Sequence, residues 1–73
     1  MRNINAVPAC RRRKVLETIA KRHKGKILTG YDILILFGYS PNTSVRDTML
    51  CRYDIITPVN DKYGMFTGRW RVR

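Results

Sequence analysis

Acidic side chains are scarce in this sequence: five Asp and Glu stand against fifteen Lys and Arg, a formal net charge of +10 over 73 residues. The five are Glu17, Asp32, Asp47, Asp54 and Asp61, and their scatter offers no carboxylate pair for acid–base work. His23 is the only histidine, and Cys10 and Cys51 lack CxxC spacing, so a four-ligand zinc site is not expected. Two cysteines make no disulfide framework, which points to a reducing compartment. Neither a G-x-S-x-G elbow nor a glycine loop able to cradle phosphate occurs. The longest apolar run, 33–37, falls far short of the roughly 20 residues a membrane span needs. Arg11, Arg12, Arg13 and Lys14 occupy the place of a signal-peptide core, so no leader is expected. Together these absences predict a cytoplasmic chain that is not an enzyme and has no cofactor, metal, membrane or small-molecule ligand.

What is abundant is positive charge. A small surface this basic repels its own copies and attracts polyanions, of which nucleic acid is the commonest. Ten of the fifteen cations are Arg, whose planar fork suits phosphates and guanine edges better than plain solubility requires. A merely soluble basic protein or a ribosome-type accessory is the bland alternative. Seven aromatics argue against disorder, and the length allows one domain, 1–73, with one small core.

Residues 1–7 are polar and irregular and read as a flexible arm. From Pro8 onward, Val15, Leu16, Ile19, Ala20 and His23 form one stripe of helical period. Arg13/Glu17 and Glu17/Lys21 are i,i+4 pairs on the opposite face, and Gly25 supplies a stop. After a short extended link at Ile27 and Leu28, Thr29 opens a capping box with Asp32. The run ILILF that follows suits a buried strand or a short helix; the cap before it and Gly38 after it favour a helix. Ser40 at an N-cap and Pro41 at the first helical position predict a third helix over 41–53. Ile55-Ile56-Thr57 reads as a strand, placed at a sheet edge by Pro58. Asn60, Asp61, Lys62 and Gly64 make a turn. Phe66, Gly68, Trp70 and Val72 then alternate with Thr67, Arg69, Arg71 and Arg73, an apolar face against an arginine face.

This order, with Leu28-Thr29, Gly38-Tyr39-Ser40-Pro41-Asn42-Thr43, Tyr53-Asp54-Ile55-Ile56 and Thr67-Gly68-Arg69-Trp70, resembles the winged helix-turn-helix family over roughly 11–73. The compact size is similar to that of small phage-type regulators. The resemblance implies an α+β fold of three helices, a small antiparallel sheet and a C-terminal β-hairpin wing, with the strand after the third helix at the edge. Two features depart from the family pattern. Val45 falls seven rather than six residues after Gly38, so either the turn is longer or the recognition helix is rotated. Ile35 and Leu36 stand where polar residues are commoner, as a dimer contact would require.

A helix entering the major groove presents short polar and Arg side chains from its N-terminal half. Asn42, Thr43, Ser44, Arg46 and Asp47 fit that role, although capping and turn chemistry explains Ser40 and half explains Asn42. Lys62, Arg69, Arg71 and Arg73 line the expected wing, where they suit phosphates or protect an edge strand. Arg11, Arg12, Arg13 and Lys14 are weaker candidates for phosphate contact. Trp70 and Phe66 are expected in the core. The sequence thus predicts a sequence-specific binder of double-stranded DNA, a transcriptional regulator or DNA-architecture factor, with a homodimer on DNA as one form. The alternatives are a winged-helix module that inhibits a host factor by protein contact and an RNA-binding winged helix.

Overall fold

The structure is a computed structural model that describes residues 3–73. It is an α+β protein with three helices and a three-stranded antiparallel sheet. Helix α1 (Ala9–Arg22) begins after Pro8 and buries Leu16 and Ala20, with Val15 and Ile19 packed at the core margin. This is the stripe the periodicity predicts. Among the described residues Arg13–Glu17 is the ion pair formed, at 2.9 Å; Glu17 does not reach Lys21. Strand β1 (Ile27–Thr29) leads directly into α2 (Gly30–Leu36), where the Thr29 hydroxyl accepts from the Asp32 N–H at 3.2 Å. ILILF is therefore helical, and Ile33 and Phe37 point into the core.

Helix α2 ends where the N–H of Tyr39 donates to the carbonyl of Leu34 and that of Gly38 to Ile35, with Gly38 left-handed at φ +81°. Helix α3 (Met49–Arg52) ends by the same double bond pattern, from Ile55 to Leu50 and from Asp54 to Cys51. Here the left-handed residue is Asp54, at φ +56°. A Cβ costs about 1–2 kcal/mol in that conformation, which glycine avoids. Asp54 is exposed and forms no ion pair among the described residues, so Asp54→Gly should raise stability by up to about 1 kcal/mol despite its looser unfolded chain. Asp54→Val should lower it by a similar amount, and paired thermal melts would check the opposite signs.

Two expectations are corrected. The third helix does not run over 41–53. Ser40–Thr43 is instead a turn closed by the Thr43 N–H on the Ser40 carbonyl, followed by a 3-10 turn at Val45–Asp47 and only one turn of α-helix. Thr48 interrupts the segment with extended backbone at ψ 161°, and its buried hydroxyl donates to the Val45 carbonyl. Val45 can then reach the start of α2, where a Cβ on Gly30 would lie 3.3 Å from Val45 Cγ2 and 3.8 Å from Trp70 Nε1. Gly30, at the first position of α2, must therefore stay small. Nor are residues 3–7 a flexible arm; Met1 and Arg2 lie outside the described residues. Ile4–Ala6 forms a 3-10 turn whose Asn3 side chain caps Asn5, Ile4 and Val7 are buried, and the Ile4 N–H donates to the Gly38 carbonyl at 2.8 Å.

Strand β3 (Phe66–Val72) lies between β1 and β2 (Ile56–Asn60), so β2 is an edge strand, as Pro58 requires. Leu28, Trp70 and Pro58 share one rung facing the helices; Thr29, Arg69 and Val59, and Ile27, Arg71 and Thr57, form two rungs on the outer face. Between the Val59–Arg69 and Asn60–Phe66 pairs the register shifts, which turns the hairpin tip away from the regular ladder. No described helix is long and apolar enough to cross a membrane.

Candidate nucleic-acid interface

The broken segment between α2 and α3 meets the hairpin through Arg46. Its guanidinium lies 5.1 Å from the Phe66 ring centroid and 5.7 Å from that of Trp70, while the two rings meet edge-on at 5.1 Å. A planar cation over two π-faces is attracted to them and loses rotamer freedom before any ligand arrives. Arg46 nevertheless remains exposed, and with Asp47 and Arg52 it borders an open groove of about 400 Å³ floored by Thr48 and Cys51. Burial pushes the Cys51 thiol above its ordinary pKa, the nearby Arg46 charge opposing this only in part, and the thiol donates to the Val45 carbonyl at 3.3 Å. A thiol held protonated is the reverse of an activated nucleophile. The Tyr39 hydroxyl is also buried, short of a good hydrogen bond to the Met49 backbone, and burial raises its pKa.

The expected site residues divide among several surfaces. Asn42 and Ser44 are exposed and Thr43 half-buried in the turn that precedes Arg46, where the Ser40 hydroxyl accepts from the Asn42 N–H at 3.4 Å. They lie outside any helix, so the picture of a helical recognition face from Asn42 to Asp47 does not hold. Lys62 is at the hairpin tip, its ammonium 5.1 Å from the Tyr63 ring centroid. Arg69 and Arg71 are on the outer face of the sheet, opposite the face that holds Trp70 and Arg46. Arg73 borders a third region with Arg13, Lys21 and Tyr53 beside α1.

The basic start of α1 divides likewise. Arg12 donates to the carbonyls of Val7 at 2.9 Å and Asn5 at 3.4 Å, anchoring the N-terminal segment. Arg13 pairs with Glu17 and lies 4.5 Å over the Tyr53 ring. Arg11 and Lys14 are exposed beside Val15 and Ile19 on another face of the helix. Structural duties thus account for Arg12 and Arg13.

Three residues absent from the sequence-based site gain prominence: Arg52 beside the groove that Arg46 borders, and Tyr63 and Met65 at the hairpin tip. The tip pair had a signal in the sequence, since a tyrosine and a methionine interrupt an otherwise polar turn. Among the described residues no cluster of three or more His, Cys, Asp or Glu is positioned to hold a metal. No protein-family model, curated protein or solved structure matches this chain.

Proposed function

We propose that this protein binds double-stranded DNA through the Asn42–Arg52 side of the molecule and the β2–β3 hairpin, as a DNA-architecture factor or transcriptional regulator of winged-helix type. The observation that carries this reading is Arg46, fixed over Phe66 and Trp70 at the junction of the two elements yet still exposed, on a chain of net charge +10. The order of helices and strands and the central position of β3 support a winged-helix reading. A four-residue α3 is only about 6 Å long, too short to lie along a major groove and read many base edges. That favours the architectural form, with any sequence preference supplied by Asn42, Thr43, Ser44 and Arg46 from the turn.

Salt titration of duplex binding tests the proposal. Neutralisation of about three phosphates by Arg46, Arg52 and Lys62 gives log K against log salt a slope near −3, and each alanine substitution flattens it by about one unit. A slope near zero would refute DNA binding. If Arg69→Ala and Arg71→Ala produce the loss instead, the duplex lies on the outer sheet face.

A second reading, docking of a protein partner, is favoured by one observation. Leu28, Tyr31, Ile35 and Leu36 line an apolar groove of about 350 Å³ beside His23 and Lys26. A stoichiometric complex with weak duplex affinity would support it.

A further inference from the structure

The β2–β3 tip carries an unusual amount of exposed apolar surface. Tyr63 is 77% exposed, Met65 65% and Phe66 40%, consecutive but for Gly64. A solvated hairpin turn has no use for these side chains, and while the other exposed large apolar residues among those described, Ile27, Tyr31 and Tyr53, stand apart, these three are gathered at one point. The tip is nonetheless rigidly built. The Asp61 carboxylate oxygen accepts from the N–H of Tyr63 at 2.8 Å and of Met65 at 3.0 Å, while the Asp61 N–H donates to the Met65 carbonyl at 2.8 Å. The Gly64 N–H closes the turn on the Asp61 carbonyl at 3.0 Å. At its base, Phe66 is fixed edge-on to buried Trp70 and covered by Arg46. An apolar point is therefore held on a stiff support and flanked by the cations Lys62 and Arg46.

We propose that Tyr63 and Met65 form a wedge that enters the minor groove of duplex DNA and partly unstacks a base step, bending the duplex. This rests on the DNA-binding reading above and specifies its mode. Charge selects the partner: a second copy of a +10 chain is repelled, whereas the minor groove concentrates negative potential between apolar sugar walls. Width sets the mode. Two paired strands lie about 5 Å apart before side chains are added, against a minor groove of about 6 Å, so the hairpin cannot enter an undeformed groove. Side chains at its point can enter, and insertion of apolar groups such as Met between base pairs opens the groove and kinks DNA by roughly 20–90° toward the major groove.

The test uses the full chain and a short duplex with a donor and an acceptor dye at its ends and 2-aminopurine within it. Binding of the parent protein should shorten the end-to-end distance and raise 2-aminopurine fluorescence. Tyr63→Ser/Met65→Ser, altered only at exposed positions, should melt like the parent and still bind, with both signals lost. Lys62→Ala should weaken binding yet bend DNA fully once bound. Bending that survives in the double variant, or a parent complex that stays straight, overturns the wedge while leaving DNA binding intact. Absence of duplex binding at low salt overturns both proposals. Capture of the parent but not the double variant by anionic lipid vesicles, with DNA left straight, would reassign the tip to a membrane surface.

Discussion

Trp70→Ala is expected to unfold the protein. The indole is 4% exposed, shares a rung with Leu28 and Pro58, receives the edge of Phe66 and approaches the backbone of Gly30. Truncating a buried aromatic costs about 3–5 kcal/mol. A domain of this size has a total stability of roughly 5 kcal/mol. The same change removes one of the two rings that fix Arg46, so the candidate interface should lose its order together with the core. Circular dichroism on heating would show the folded baseline reduced or absent at 25 °C. A melt matching the parent would mean that Trp70 does not close the core and that Arg46 rests on Phe66 alone.

Removal of residues 1–7 is expected to be nearly as damaging. Ile4 and Val7 are buried against the margin formed by α1 and the end of α2, in contact with the space around Val15, Ile19 and Leu36. Re-exposing the surface they cover costs about 3–5 kcal/mol in total. Their loss also leaves the Gly38 carbonyl without its donor from Ile4, and Arg12 without the two carbonyls it holds. Urea denaturation of the truncated chain should therefore begin at or near zero denaturant, and Ile4→Ser should reproduce much of the loss. An unchanged midpoint would show that the segment rests on a core complete without it.

Much of the fold was legible because the relevant signals were local and agreed. The Thr29 cap, the glycine at 38 and the alternation ending at Trp70 and Val72 each belong to a few adjacent residues, and the structure uses each of them, although Phe66, expected in the core, stays 40% exposed at the hairpin. Pro58 likewise placed β2 at the edge. The failure over 41–53 arises where one local signal serves two structures. Ser-Pro opens a helix, but it equally fills the first two places of a β-turn. The choice depended on Val45 reaching the niche over Gly30, a contact with a residue fifteen positions earlier in the chain. Ile4 and Val7 show a different limit. Two apolar residues without a period cannot declare what they will pack against, and their partners lie across the fold. The stacking of Arg46 was hidden for the same reason, since Phe66 is distant in sequence. Arg69 and Arg71 were placed correctly on the outward face, yet alternation does not say where that face stands relative to the turn carrying Arg46.

The central position of β3 governs the order in which the protein can assemble during synthesis. Strands β1 and β2 are not neighbours in the sheet, and each finds its hydrogen-bond partners only in β3. While the chain emerges from the ribosome, helix α1 can form from local contacts, but 27–29 and 56–60 remain unpaired until 66–72 has followed. Nothing resembling the native sheet exists on a nascent chain stopped before β3. Folding is therefore governed by closure of the long span from Ile27 to Arg71, a non-local step that slows it relative to a helical bundle of equal size. A chain truncated within β3 should emerge as a collapsed helical species with two open strand edges, a target for chaperones and proteases rather than a smaller working version of the protein.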